Sequence, residues 1–225
     1  MCGRFAIDID TPTFVRRFHV RQMEIKLEPH YNVAPGMYLL VVIHRSPNQA
    51  VLMKWGLVPH WSREPKVKFS TINARAETLE SSAVYRMPFA RQRCLLPAIG
   101  FYEWAKLEDG SKWPYYFSVK NRSVFAFAGL WDKWTDVEGK EFLSCTIVTC
   151  PANEVVARIH PRMPVIIEET DEDAWLTSSD MAKVKAILKP YEPTQMSAVR
   201  VSKSVNSTQN DDRSLIDEFI ENKLI

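Results

Sequence analysis

Cys2 is the residue of this 225-residue chain whose position most directly suggests chemistry. Methionine aminopeptidases remove Met1 when the second residue is small, and removal here would leave an α-amine and a thiol on adjoining carbons. A neutral amine attacks an aldehyde to give an imine, and the neighbouring thiol can then add to the imine carbon and close a five-membered thiazolidine ring. With an α-amine pKa of about 7.7–8.0, roughly a tenth to a fifth of the amine is neutral at pH 7, so little activation is required. Taken alone, Cys2 also reads as a merely small second residue. Gly3 and Arg4 follow directly: glycine permits close backbone approach to a ligand, and a guanidinium can hold a phosphate through two hydrogen bonds. Five further segments combine turn residues with polar or aromatic side chains. They are Tyr31-Asn32-Val33-Ala34-Pro35-Gly36, Trp55-Gly56-Leu57-Val58-Pro59-His60-Trp61, Asn73-Ala74-Arg75-Ala76-Glu77, Gly100-Phe101-Tyr102-Glu103-Trp104 and His160-Pro161-Arg162-Met163-Pro164.

The opening Cys-Gly-Arg-Phe with these five segments, in this order, resembles the SRAP family, named for the SOS response-associated peptidase. The likeness runs from Cys2 to Pro164, with a looser echo in Val201-Ser202-Lys203-Ser204-Val205-Asn206. It implies a compact β-rich fold, single-stranded DNA binding, and a thiazolidine link between the N-terminal cysteine and an abasic site that shields the lesion from strand cleavage and error-prone repair. Residue by residue, it implies Cys2 as nucleophile with Asn73, Glu103 and His160 around it.

The residue types suit that chemistry. Opening the abasic sugar to its aldehyde and expelling water from the carbinolamine both need proton transfers, for which a carboxylate and an imidazole are the usual agents. Glu103 lies between Tyr102 and Trp104, where burial would raise its pKa toward neutrality; without the resemblance it also reads as an edge or turn residue. His160 doubles as a helix-end residue, and Asn73, which would orient the amine or the sugar hydroxyls, as an ordinary strand-end residue. Pro161 stands where many relatives of the family carry an acidic or polar residue, and it stiffens the segment that presents His160.

For DNA, the resemblance and the residue types suggest Arg4, Arg75 and Arg162 as phosphate clamps, and Trp61 and Trp104 as stacking or wedging faces, with Trp104 equally readable as core. Asn32 and Pro35 match the family's loop near the strand. Aromatic faces beside guanidinium groups serve single strands, each stacked base contributing about 1–3 kcal/mol without demanding a sequence. Two other readings remain open on the sequence: a cysteine peptidase using Cys2 with His160 and Glu103, acting on its own Met1–Cys2 bond, and a non-catalytic single-strand-binding module.

The elements that must position these residues follow from hydrophobic periodicity. Strands are expected over Tyr38 to Ile43, Val51 to Trp55, Arg93 to Pro97, Tyr115 to Val119, Val124 to Leu130 and Phe142 to Thr149, with a hairpin across Glu108-Asp109-Gly110-Ser111. Helices are expected over Thr13 to Val20, Thr78 to Gln92 with an interruption near Pro88, Pro151 to Ile159 with the proline in the first turn, Glu172 to Leu188, and Asp212 to Asn222. No βαβ rhythm is present, so the expected class is α+β: a mainly antiparallel, curved or barrel-like sheet with peripheral helices.

Composition bounds the rest. Apolar residues make up 46% and charged residues 25% of the chain, ordinary for a globular protein, and no low-complexity linker divides it; a single domain over 1–225 is expected, its last 20 or so residues peripheral. Residues 1–100 carry 14 Lys/Arg against 7 Asp/Glu, whereas 101–225 carry 15 against 20, an asymmetry consistent with a basic face for phosphates. Cys2, Cys94, Cys145 and Cys150 form no CxxC pair and meet no His at zinc spacing, so neither a metal, a cofactor nor a disulfide framework is expected. No 18-residue apolar run or leader pattern is present. The chain is therefore expected to be a monomer without a membrane partner, cytoplasmic and nucleoid-associated in a prokaryote or nuclear in a eukaryote, meeting single-stranded DNA that contains abasic sites.

Overall fold

The computed structural model describes residues 2–21, 26–65 and 70–220. Thirteen strands lie among them: β1 (Phe5–Ile7), β2 (His30–Val33), β3 (Tyr38–Ile43), β4 (Gln49–Trp55), β5 (Asn73–Arg75), β6 (Arg93–Ala98), β7 (Gly100–Lys106), β8 (Lys112–Val119), β9 (Phe125–Thr135), β10 (Glu141–Pro151), β11 (Arg162–Pro164), β12 (Ile166–Ile167) and β13 (Met196–Arg200). The runs of Val, Ile, Leu and Phe expected to form strands do so: β3 has the expected ends, β9 starts one residue later and runs five further, the others extend by one to three residues, and the expected hairpin is β7–β8 with Trp104 opposite Pro114.

Strands β10, β4, β3, β6 and β9 pair in that order, and β9 pairs back onto β10, so five strands close into a barrel. Pairing is antiparallel except where β10 runs parallel to β4 and to β5. Strand β5 therefore lies on β10 with Asn73 beside Ile147, and β11 lies on its end with Arg162 opposite Pro151. A second sheet runs β13-β8-β7-β1-β2. The α+β architecture with a barrel-like core stands as expected.

Two-residue periodicity divides the second sheet between two cores. In β1, Phe5 joins the main cluster and meets Trp55 at 5.3 Å and Phe127 at 5.7 Å between ring centroids, while Ala6 joins a smaller cluster with Tyr31, Tyr102, Tyr116, Val201, Val205 and Leu215. The same alternation in β7 sends Phe101 to the main core and Tyr102 to the smaller one. By that rule Glu103 shares the face of Phe101, which explains a glutamate only 4% exposed. Gly100 begins β7 because a Cβ there would lie 2.2 Å from the Tyr116 ring.

The helices are shorter than periodicity suggests. Helix α1 spans Thr11–Arg17, not 13–20: the Asp10 side chain caps its start, and His19, at φ 50°, ends it. The segment 78–92 contributes only α2 (Arg86–Arg91), and Pro88 sits inside its first turn, where the missing N–H costs nothing, so it is no interruption. Pro151 is the last residue of β10 and starts no helix; Asn153 caps the short α3 (Glu154–Ala157). The expected helix over 172–188 is two, α4 (Glu172–Thr177) and α5 (Met181–Ile187), because the Asp180 carboxylate accepts from Ala182 N and Lys183 N and starts a new one. In 212–222 the structure forms only a 3₁₀ turn over Arg213–Ile216; residues 221 and 222 lie outside the described residues.

Candidate active site

The extended segment entering β1 is held against β7. Phe5 pairs with Phe101, and the ladder continues as Tyr102 N donates to Arg4 O at 3.0 Å, which sets Gly3 across from Glu103 and Cys2 just beyond. Asn73, at the start of β5, donates from Nδ2 to the Cys2 carbonyl at 2.8 Å. Its own carbonyl accepts from the Tyr85 hydroxyl at 3.2 Å, and its buried Oδ1 meets no hydrogen-bond donor among the described residues. His160 follows α3, its N–H closing the last turn onto Val156 O, and its Nδ1 stands 3.9 Å from Glu103 Oε1. Four separate elements thus bring together Cys2, Asn73, Glu103 and His160.

Burial governs the electrostatics. Cys2 is fully buried, and loss of hydration pushes its thiol pKa up, with the Glu103 carboxylate pushing the same way and the hydrogen bond to the Arg4 backbone opposing. Glu103 is likewise raised by burial, with His160 opposing. The thiol is therefore held protonated at neutral pH. A cysteine peptidase nucleophile needs the reverse, a cationic neighbour that stabilises the thiolate. Cys94, Cys145 and Cys150 are also free and buried, and no group of His, Cys, Asp or Glu among the described residues is arranged to hold a metal ion.

The residues considered for DNA contact divide into two sets. Arg75 is exposed at the end of β5, Trp61 is 53% exposed in the loop after β4, and Pro35 is exposed in a turn closed by Met37 N to Ala34 O, where Gly36 takes φ 89°. The others are engaged within the protein. Arg4 donates from Nη1 to Asn32 Oδ1 (2.5 Å) and to Val205 O (2.8 Å). Asn32 is buried, its Nδ2 reaching the carbonyls of Val205, Ser207 and Asn210. Trp104 donates its indole N–H to Asn206 Oδ1 and lies 6.0 Å from the Arg4 guanidinium. Arg162 forms a two-pronged ion pair with Glu77 and also donates to Thr149 O. The echo segment Val201–Asn206 bonds to Arg4, Asn32 and Trp104, tying the N-terminal segment to residues 205 and 206.

Three residues that sequence reasoning did not single out take part. Glu77 binds Arg162, and the only sequence signal for it is its place four residues after Asn73 in a quoted segment. Asp211 accepts from Tyr31 N, Asn32 N and His30 Nδ1, joining the C-terminal loop to β2. Asp132 fixes the loop before Trp61 by accepting from both the backbone N–H and Nδ1 of His60. No motif marks the last two.

Comparison with known proteins places this arrangement. The chain is 38% identical over 222 residues to the abasic site processing protein YoqW of Bacillus subtilis (strain 168), covering 96% of this chain and 99% of that one. It is 31% identical over 256 residues to the abasic site processing protein HMCES of Gallus gallus, covering 94% and 76%. A crystal structure of a protein from Bacteroides thetaiotaomicron superposes with a TM-score of 0.86 at 26% identity, covering 97% of this chain and all of that one. Residues 1–208 match the SOS response associated peptidase (SRAP) family, and the chain belongs to that family.

Proposed function

We propose that this protein captures abasic sites in single-stranded DNA through a thiazolidine formed by Cys2 after Met1 is removed, acting as a single-domain monomer that shields the lesion. The abasic site processing named for its relatives supports the substrate. The observation that carries the reading is geometric: four separate elements bring the buried Cys2 together with a buried carboxylate, an imidazole and a carboxamide. In that setting the α-amine is the nucleophile and the thiol comes second.

The steps balance as a condensation. The neutral α-amine adds to C1 of the ring-opened sugar, giving a carbinolamine. Glu103, whose pKa burial raises, donates in its acid form to the departing hydroxyl, and water leaves as the protonated imine forms. Sγ then adds to the carbon of the imine, which is still protonated on nitrogen, while the thiol proton passes to the Glu103 carboxylate and restores its acid form. Asn73 Nδ2 holds the Cys2 carbonyl, and its Oδ1 is placed to accept from the amine. His160 stands beside Glu103, Nδ1 to Oε1 3.9 Å. Without Sγ the imine is open to β-elimination, so lyase chemistry belongs to a failed capture. Removal of Met1, whether self-catalysed or by an aminopeptidase, comes first because a retained Met1 ties up the amine in a peptide bond.

Intact mass spectrometry after mixing with an abasic single-stranded oligonucleotide tests this. The expected adduct is protein lacking Met1, plus oligonucleotide, minus one water; an intact oligonucleotide gives none. Met1 retained in the linked species overturns the mechanism.

A further inference from the structure

We propose that Glu77 is a positioning residue for this reaction, holding Arg162 and, through it, the imidazole of His160. The inference rests on the function proposed above and deepens it. Arg162 Nη1 meets Glu77 Oε1 at 2.5 Å and Nη2 meets Oε2 at 3.0 Å, the parallel fork that gives an arginine–carboxylate pair its directional strength. Nη2 also donates to Thr149 O at 2.6 Å, so one guanidinium joins the turn after β5 to β10 and β11.

His160 is seated on the backbone of the residue so held. Arg162 N donates to His160 Nδ1 at 3.1 Å, and Arg162 O lies 3.0 Å from the same nitrogen. Displacing Arg162 therefore displaces the ring, and with it the 3.9 Å spacing to Glu103. The backbone ladder is reduced beside His160: Pro161 has no N–H, so the Ala152–Pro161 pair keeps only the bond from Ala152 N to Pro161 O. The Glu77 fork adds a side-chain tie at this corner. The Arg162 side of the pair is largely buried and the Glu77 side about half exposed, at 17% and 46%. Hydrogen bonding to Arg162 holds the Glu77 carboxyl below its usual range, burial opposing, so the fork persists into mild acid. Because Glu77 starts four residues beyond Asn73, the same pair also ties the residue that holds Cys2 to the one that faces Glu103.

The test compares crosslinking rates at saturating abasic single-stranded DNA, over a range of pH, for wild type, E77Q, H160A and the double variant. E77Q is expected to slow the reaction about 10- to 100-fold, the usual cost of a small misplacement of a reacting group. Its pH–rate profile should take the shape of the H160A profile, and the double variant should be no slower than H160A, because Glu77 acts through His160. The conservative variant E77D, which keeps a carboxylate for Arg162, should retain more rate than E77Q; should E77Q fail to fold, E77D decides, and an E77D that reacts no faster than H160A while Arg162 is unchanged overturns the inference. Equal rates in E77Q and wild type overturn it too, as do slowdowns that multiply in the double variant, the mark of a purely structural role. A wild type that forms no link overturns the proposed function itself, and this inference with it.

Discussion

At the scale of single residues, burial makes Glu103 useful and also costly. Its folded-state pKa is raised above the unfolded value of about 4.3, so its contribution to stability is complete below that pH and is lost as pH rises through the folded value. Glu103→Gln keeps the shape and removes the titration. The variant should therefore melt higher than wild type near neutral pH, with the difference shrinking toward about pH 4, while crosslinking slows by about 10²–10⁴-fold as a general acid–base group is lost. Thermal melts at a series of pH values and single-turnover rates check both halves; unchanged kinetics removes Glu103 from the reaction. Cys2→Ala and Cys2→Ser separate amine from thiol. Both retain an α-amine once Met1 is gone, and neither can close a thiazolidine. Each should give a borohydride-dependent link with more strand cleavage, where wild type gives a heat-resistant link without reductant. A stable link from Cys2→Ala in the absence of reductant would assign the bond to another residue.

At the scale of elements, the extended N-terminal segment is in place because β7, β2 and the C-terminal loop grip it together. Arg4 and Asn32 act here as structural members: their polar atoms meet one another and the carbonyls of Val205, Ser207 and Asn210. Asp211 adds three more contacts across the same seam. Removing its carboxylate leaves the backbone N–H groups of Tyr31 and Asn32 without their acceptor, so Asp211→Ala should lower stability by about 1–3 kcal/mol. Urea denaturation measures that loss, and limited proteolysis should show faster cleavage within 201–220. A variant as stable as wild type would show that the loop is held elsewhere. The single helix expected over 172–188 breaks in two because Asp180 caps more strongly than the apolar period persuades, a local competition that periodicity alone does not register.

At the scale of the whole molecule, the residues of the proposed DNA-contact set that stay exposed are Arg75, Trp61 and Pro35. Binding that uses phosphate contacts and exposed aromatic faces should weaken with salt and favour single strands over blunt duplex. Arg75→Ala should lessen the slope of log affinity against log salt by about 0.7, the amount for one phosphate contact on a single strand, and should do so for every sequence alike. Fluorescence anisotropy with a Cys2→Ala background isolates binding from capture. An unchanged slope would place Arg75 outside the interface. Trp61→Ala should cost about 1–3 kcal/mol of binding if it stacks a base.

The order of the motifs, the N-terminal place of Cys2 and the alternation of apolar residues were enough to identify the family, the β-rich class and the five strands of the barrel, because those properties are local: a two-residue period and a residue at a chain end need no partner to be read; the short strands β1, β2, β5, β11, β12 and β13 carry too few residues for a period to show. Glu103 was legible as a buried acid only through the family resemblance, since its neighbours alone also allow an edge or turn residue. What only the tertiary structure decided was which polar residues meet one another. Arg4, Arg75 and Arg162 look alike in sequence, yet one is tied to Asn32, one is exposed and one is forked onto Glu77. Barrel closure through β9 and β10, and the parallel seat of β5 on β10, bring residues 2, 73, 103 and 160 within reach across long stretches of chain. Such contacts depend on strand order and register, which the hydrophobic pattern of any one strand leaves free.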